Sequence, residues 1–212
     1  GAADEITFSA TGAVTLKLAA SNSDLATVLA QAGRLGSAGI SAIASATGNL
    51  SVSYTQQNTL SAAGMGFIAA DNVSLQLSAG NADLATVVAA ANNNTLAANI
   101  DYIKASGATL TVSQSQADAL ANVATGAVKF ASTDLVTLKL DSGNSNITLL
   151  DSLANLQTYS LNGVRQIAAD GDAATISMAD AQNVSRAALK LPPRPRYSRA
   201  KALRSCNPIA AL

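Results

Sequence analysis

The sequence predicts an α/β fold: a right-handed repeat solenoid of short parallel strands and helices, with about six coils in one domain over residues 4–190. Three observations predict it. One phrase is written three times, as VTLKLAASNSDLATVLA at 14–30, VSLQLSAGNADLATVVA at 73–89 and, with more drift, VTLKLDSGNSNITLLDS at 136–152. A second set alternates with it: Ile40-Ser41-Ala42-Ile43, Ile100-Asp101-Tyr102-Ile103 and Val164-Arg165-Gln166-Ile167. Within each copy, an alternating run gives way to helical spacing. The full period is about sixty residues, longer than one coil of most solenoids, so it holds two unequal halves.

The first half opens on an alternating run such as Val73-Ser74-Leu75-Gln76-Leu77, a strand with one buried face. The turn Gly80-Asn81-Ala82-Asp83 follows, and Asp83, like Asp24 before it, suits a helix N-cap because its carboxylate can accept free N–H groups of the first turn. Leu84, Val87 and Val88 then fall on one helical face, as do Leu25, Val28 and Leu29 in the earlier copy. In the second half, Leu110-Thr111-Val112 leads into Ser113 and Gln116, which have capping-box spacing. Ser53 with Gln56, and Ser177 with Asp180, occupy the same places. Phe8, Phe67 and Phe130 share one repeat position and are read as internal packing.

A strand–helix unit of roughly thirty residues cannot bury its apolar face alone, whereas stacked copies share a core. Strand–helix alternation with short connections favours parallel neighbours and right-handed crossings. The competing fold is an all-β parallel helix, whose coils would lack helices.

Composition narrows the function. Apolar residues make up 49% of the chain, charged residues only 12% and aromatics 3%, with Ser, Thr, Asn and Gln in place of charge. That is not the balance of a disordered chain. No apolar run reaches the ~20 residues of a membrane span. Gly1-Ala2-Ala3-Asp4-Glu5 has neither the basic nor the apolar part of a signal peptide, and reads as the flank of a fragment. Before residue 191 eight Lys and Arg meet thirteen Asp and Glu, a net of −5. Residues 191–212 carry Arg194, Arg196, Arg199, Lys201 and Arg204 without an acid, and Pro192, Pro193 and Pro195 forbid a helix there. This basic tail is read first as a disordered end. The alternatives are a non-native end produced by a shifted reading frame, and a basic arm for anionic surfaces or nucleic acid. Without interleaved aromatics or a known module, no nucleic-acid partner is expected.

Catalytic constellations are scarce. The absence of histidine removes Ser-His-Asp triads, Cys-His dyads and histidine metal sites. Cys206 is the only cysteine and lies in the tail, where it is incidental. No phosphate-cradling glycine motif occurs. Glu5 is the only glutamate, so a carboxylate pair would have to be aspartates, and nothing selects one. Asp24, Asp71, Asp83, Asp134, Asp170 and Asp172 recur at turns, where caps and Asx-turns explain them. Calcium is the sharper alternative, with Asp170 and Asp172 flanking Gly171 as its candidate ligands. The nonapeptide calcium repeat and the EF-hand loop are absent, so no cofactor is expected.

The stretches GISAIASATGNLSVSYTQQNTLSAAGMGFIAADNVSLQL and ITLLDSLANLQTYSLNGVRQIAADGDAATISMADAQ resemble the Ala/Leu/Thr-rich repeats of very large bacterial secreted or cell-surface proteins. Some of those also carry hemolysin-type calcium repeats or adhesin regions. The architecture is similar to leucine-rich repeats, although the Leu-x-x-Leu-x-Leu-x-x-Asn consensus is not cleanly present. The resemblance covers residues 4–190 in texture and period. It implies an extracellular or cell-surface location and a structural or adhesive role without catalysis. The alternative role is a carbohydrate- or protein-binding module. With no capping pattern visible at Ile6-Thr7-Phe8 or after Leu189, end-to-end self-association is expected.

Overall fold

The computed structural model describes residues 13–139, 153–168 and 178–191. Strand β1 (Val14–Leu18) leads into helices α1 (Asn22–Ala30) and α2 (Ala32–Ser37). Then come β2 (Ile40–Ser45), β3 (Asn49–Ser53) and α3 (Tyr54–Ala62). The order returns in β4 (Gly66–Phe67), β5 (Asn72–Leu77), α4 (Asn81–Asn92), β6 (Tyr102–Ala105), β7 (Thr109–Val112) and α5 (Gln114–Ala121). It returns again in β8 (Lys129–Phe130), β9 (Leu135–Lys139), α6 (Leu153–Leu161), β10 (Gln166–Ala168) and α7 (Met178–Arg186). The fold is therefore mixed α/β. With seven helices described, the all-β alternative does not hold.

The strands form three small sheets, in the orders β1-β2-β4, β3-β5-β6-β8 and β10-β9-β7. Every pairing among them is parallel. Paired residues lie between 23 positions apart in sequence (Leu50 to Val73) and 29 (Leu138 to Ile167). The thrice-written phrase forms β1, β5 and β9, and the Ile-containing phrases form β2, β6 and β10. Each strand of the first set pairs in parallel with the following strand of the second.

Register places the core-facing apolar residues of successive phrases side by side. Leu16 stands beside Ile43, and Ile43 beside Phe67. One period later Leu75 stands beside Ile103, and Ile103 beside Phe130. Leu138 and Ile167 begin the series again. Ile43, Leu75, Ile103 and Ile167 are wholly buried, and Phe67 and Phe130 nearly so. The packing role expected of the phenylalanines holds for these two, while Phe8 lies outside the described residues. Leu84, Val87 and Val88 close the core from α4, and Leu25 and Val28 from α1. Burying one such Leu or Ile side chain stabilises the fold by about 1.5–3 kcal/mol.

The helix starts divide into two types. The capping boxes at Ser53/Gln56 and Ser113/Gln116 are both formed: the Gln116 backbone N–H donates to Ser113 Oγ at 3.2 Å and the Ser113 N–H to Gln116 Oε1 at 2.9 Å. Ser177 is outside the described residues; α7 begins at the next position. Asp24 and Asp83, by contrast, are not N-caps. The caps are Ser21 and Gly80, neither with a side-chain cap bond. The aspartates sit at the third helical position and reach backwards, accepting the N–H of Ala20 and of Ala79, each at 2.8 Å. The reason is a left-handed backbone at the cap, φ 56° at Gly80 and 47° at Ser21, which turns the chain ahead of the helix. Ser21 carries that strain as a non-glycine residue, and its hydroxyl meets Ser45 Oγ at 2.8 Å and Thr47 Oγ1 at 3.0 Å.

Two further side chains tie successive turns of the chain together. Asn81 Nδ2 donates to the Thr111 carbonyl and Asn81 Oδ1 accepts the Thr111 N–H, at 2.6 and 3.1 Å. Asn22 makes the same pair with Ser51, at 2.7 and 3.1 Å. Each amide thus acts as a strand segment beside β7 or β3. Asp71 and Asp134 do related work where β4 and β8 stop after two residues. β2 and β6 run on, and their last N–H groups would be orphaned. Asp71 Oδ2 accepts the N–H of Ser45 at 2.5 Å, and Asp134 Oδ2 that of Ala105 at 2.6 Å. Both carboxylates are buried.

One cluster of buried apolar side chains runs from Leu18 to Leu189. The end segments on which self-association was expected to depend, and the basic tail, lie largely outside the described residues. No helix among the described residues is long and apolar enough to cross a membrane.

Replacing Asp134 with Ala leaves the Ala105 N–H buried without a partner, and urea unfolding should show a loss of about 1–3 kcal/mol. Asp134→Asn keeps an acceptor and should cost less. A change at Asp134→Ala within about 0.5 kcal/mol, as expected of an ordinary surface position, would show that the end of β6 does not depend on this carboxylate.

Candidate functional site

The outward faces of the strands carry short polar side chains in rows. Ser51, Ser74, Tyr102 and Lys129 stand in register across β3, β5, β6 and β8. Ser53, Gln76 and Lys104 form the next row. Alternation places these outward because their neighbours Val52, Leu75 and Ile103 are committed to the core. At the β6–β8 end the rows run into a wall made by the turn between α6 and β10. The result is an open groove of about 630 Å³, lined by Tyr102, Lys104, Lys129, Thr133, Leu161 and Arg165 among others.

The wall is fixed by backbone. The N–H of Phe130 donates to the Asn162 carbonyl at 2.8 Å, and the N–H of Arg165 to the Val136 carbonyl at 2.8 Å. Between them Gly163 takes φ 95°, and a Cβ there would lie 2.6 Å from the Phe130 carbonyl oxygen. Only glycine lets the turn approach β8 this closely.

Charge gathers in this groove. Of the eight Lys and Arg before residue 191, three (Lys104, Lys129 and Arg165) line it, and no acid does. All three side chains are exposed, and none pairs with a carboxylate among the described residues. Tyr102, half-buried, stands in register with Lys129 on the next strand. Exposed Leu161 forms the apolar rim.

The aspartates are used otherwise. Each of the six whose side chains are described accepts a hydrogen bond within the fold. Asp24, Asp71, Asp83, Asp101 and Asp134 take backbone N–H groups, and Asp118 takes the Tyr159 hydroxyl at 2.9 Å. A second hollow of about 360 Å³ beside Asp118 and Tyr159 lies between α5 and α6. Among the described residues no group of three or more His, Cys, Asp or Glu could hold a metal ion. The calcium candidates Asp170 and Asp172 lie outside the described residues, as does Cys206.

Sequence reasoning did not single out the groove. Tyr102 and Arg165 entered it only as members of repeat phrases, and Lys104 and Lys129 not at all. The available signal was parity: residues 102 and 104 flank inward Ile103, and Lys129 precedes inward Phe130. No family model matches this chain, and neither the curated proteins nor the solved structures include one similar to it.

Gly163→Ala should destabilise the protein by more than about 1 kcal/mol, through both its left-handed backbone and its contact with Phe130. Gly107→Ala, at a position with open space around it, is the control and should change the melting temperature little. Equal, small shifts for both would show that the wall does not need this close approach.

Proposed function

We propose that this chain is a right-handed, leucine-rich-repeat-like solenoid of about six coils, two to each sixty-residue period, serving as a structural or adhesive repeat segment of a bacterial secreted or cell-surface protein. The single observation that carries the reading is a division of labour among polar residues. The described carboxylates satisfy backbone and hydroxyl groups within the fold, whereas hydroxyls, amides and cations are left on the outward strand faces. Carboxylates are the commonest acid–base groups left to a chain without histidine, and the described ones are engaged within the fold. Contact with a surface needs only the outward rows. The partners of such a module are a protein or carbohydrate surface and further copies of itself. The groove favours a second reading, a dedicated carbohydrate- or protein-binding module, because cations and an aromatic ring converge there.

Beads coated with the full chain should be retained under flow on glycan- or matrix-coated surfaces beyond beads coated with albumin. Incubation with the same glycans should release no new reducing ends. Retention equal to albumin would contradict the adhesive role, and released reducing ends would contradict the non-catalytic one.

A further inference from the structure

We propose that the groove between β6, β8 and the α6–β10 turn binds an acidic polysaccharide, a sugar chain bearing carboxylate or sulfate groups. The proposal rests on the reading of the chain as a non-catalytic contact module and names the ligand class of its groove. Three cations without an acid among the lining residues repel one another, and a multivalent anion relieves that repulsion. Their arrangement suits a polymer better than a single anion. Lys129 is in register with Tyr102, and Lys104 lies two residues beyond Tyr102, so the two lysine backbones stand roughly 8 Å apart, with Arg165 on the facing wall. Anchors spread that widely, on flexible lysine stems, can reach acidic groups on more than one unit of a single sugar chain.

The rest of the groove fits a sugar chain too. Ser74 and Ser132 offer hydroxyls that donate to and accept from sugar hydroxyls, and Thr133, whose hydroxyl donates to Asp134 Oδ1, offers an acceptor. Tyr102 and Leu161 offer apolar faces for the C–H faces of a sugar ring. The Ser51–Ser74 row and Gln76 carry the same polar surface away from the groove across β5 and β3, beside Ser53, which caps α3, so a long chain has somewhere to continue. Single-stranded nucleic acid asks for more: aromatic platforms for successive bases, where this groove has one tyrosine.

The test uses the full chain and four probes: polygalacturonate, dextran sulfate, unmodified dextran and oligo-dT. Lys104→Ala/Lys129→Ala/Arg165→Ala removes the groove charge. Lys17→Ala/Arg34→Ala/Arg186→Ala removes the same charge from exposed positions elsewhere, and circular dichroism checks that both remain folded. The wild type should bind both acidic chains, more weakly as salt rises, and not bind dextran. The groove variant should lose at least about tenfold in affinity for polygalacturonate and the control less than about twofold. Tyr102→Ala should weaken binding at unchanged net charge. Equal losses in the two triple variants, tighter binding of oligo-dT than of polygalacturonate, or no binding of either acidic chain would overturn the proposal. If acidic chains fail to bind while coated beads are still retained on surfaces, the groove assignment falls alone. If the beads fail as well, the adhesive reading falls with it.

Discussion

The structure depends on parallel, in-register pairing between strands 23 to 29 residues apart in sequence. A strand of two to six residues and a short helix cannot exclude water from their own apolar faces. Set beside a copy with the same parity, they can. The Leu–Ile–Phe series formed by Leu75, Ile103 and Phe130 is the visible result, and Leu16, Ile43 and Phe67 repeat it. A slip of one residue would turn each of these side chains to water and bring the serines and lysines inside. Register is therefore under strong constraint, and much of the remaining sequence serves to hold it. Asn22 and Asn81 clamp one turn of chain to the next, and Asp71 and Asp134 satisfy the N–H groups left over where strands of unequal length meet.

What the sequence made legible follows from the same constraint. Positions that face the core repeat in kind, so Leu16/Leu75/Leu138 and Phe67/Phe130 are found by aligning the chain with itself. The capping boxes are local, with donor and acceptor three residues apart, and both described ones form. The Asp24 and Asp83 assignment missed because the cap is set by a backbone turn. Ser21 and Gly80 adopt positive φ, which shifts the helix start and aims the carboxylates back at Ala20 and Ala79. The amide clamps were not legible, since Asn81 and Thr111 stand thirty residues apart and only the register joins them.

The groove was hidden for a related reason. Its cations come from β6, from β8 and from the stretch before β10, and their repeat equivalents are not basic. Lys104 aligns with Ala44 and Ala168, Lys129 with Gly66, and Arg165 with Ser41 and Asp101. A core position announces itself by recurring, whereas the cations of the groove break the recurring phrases. Gly163 keeps a recurring feature instead: Gly39 and Asn99 hold the same position with positive φ, 94° and 63°, and at Gly163 the turn reaches the backbone of Phe130 and walls off one end of the polar rows. The recurring phrases thus build the strands and the core, and the positions that break them carry the charge of the groove.

The central claim, that one sixty-residue period is an interchangeable unit, is tested most directly by removing one. Deleting residues 44–103 joins Ile43 to Lys104, so that β2 continues as the end of β6, the Ala105 N–H keeps Asp134, and Asn22 meets Thr111 in place of Ser51. The account predicts a shorter protein with a mixed α/β circular dichroism spectrum and a single cooperative urea transition. A chain that loses its spectrum and its transition on this deletion would contradict it, because the period would then be a resemblance between segments and not a unit of the fold.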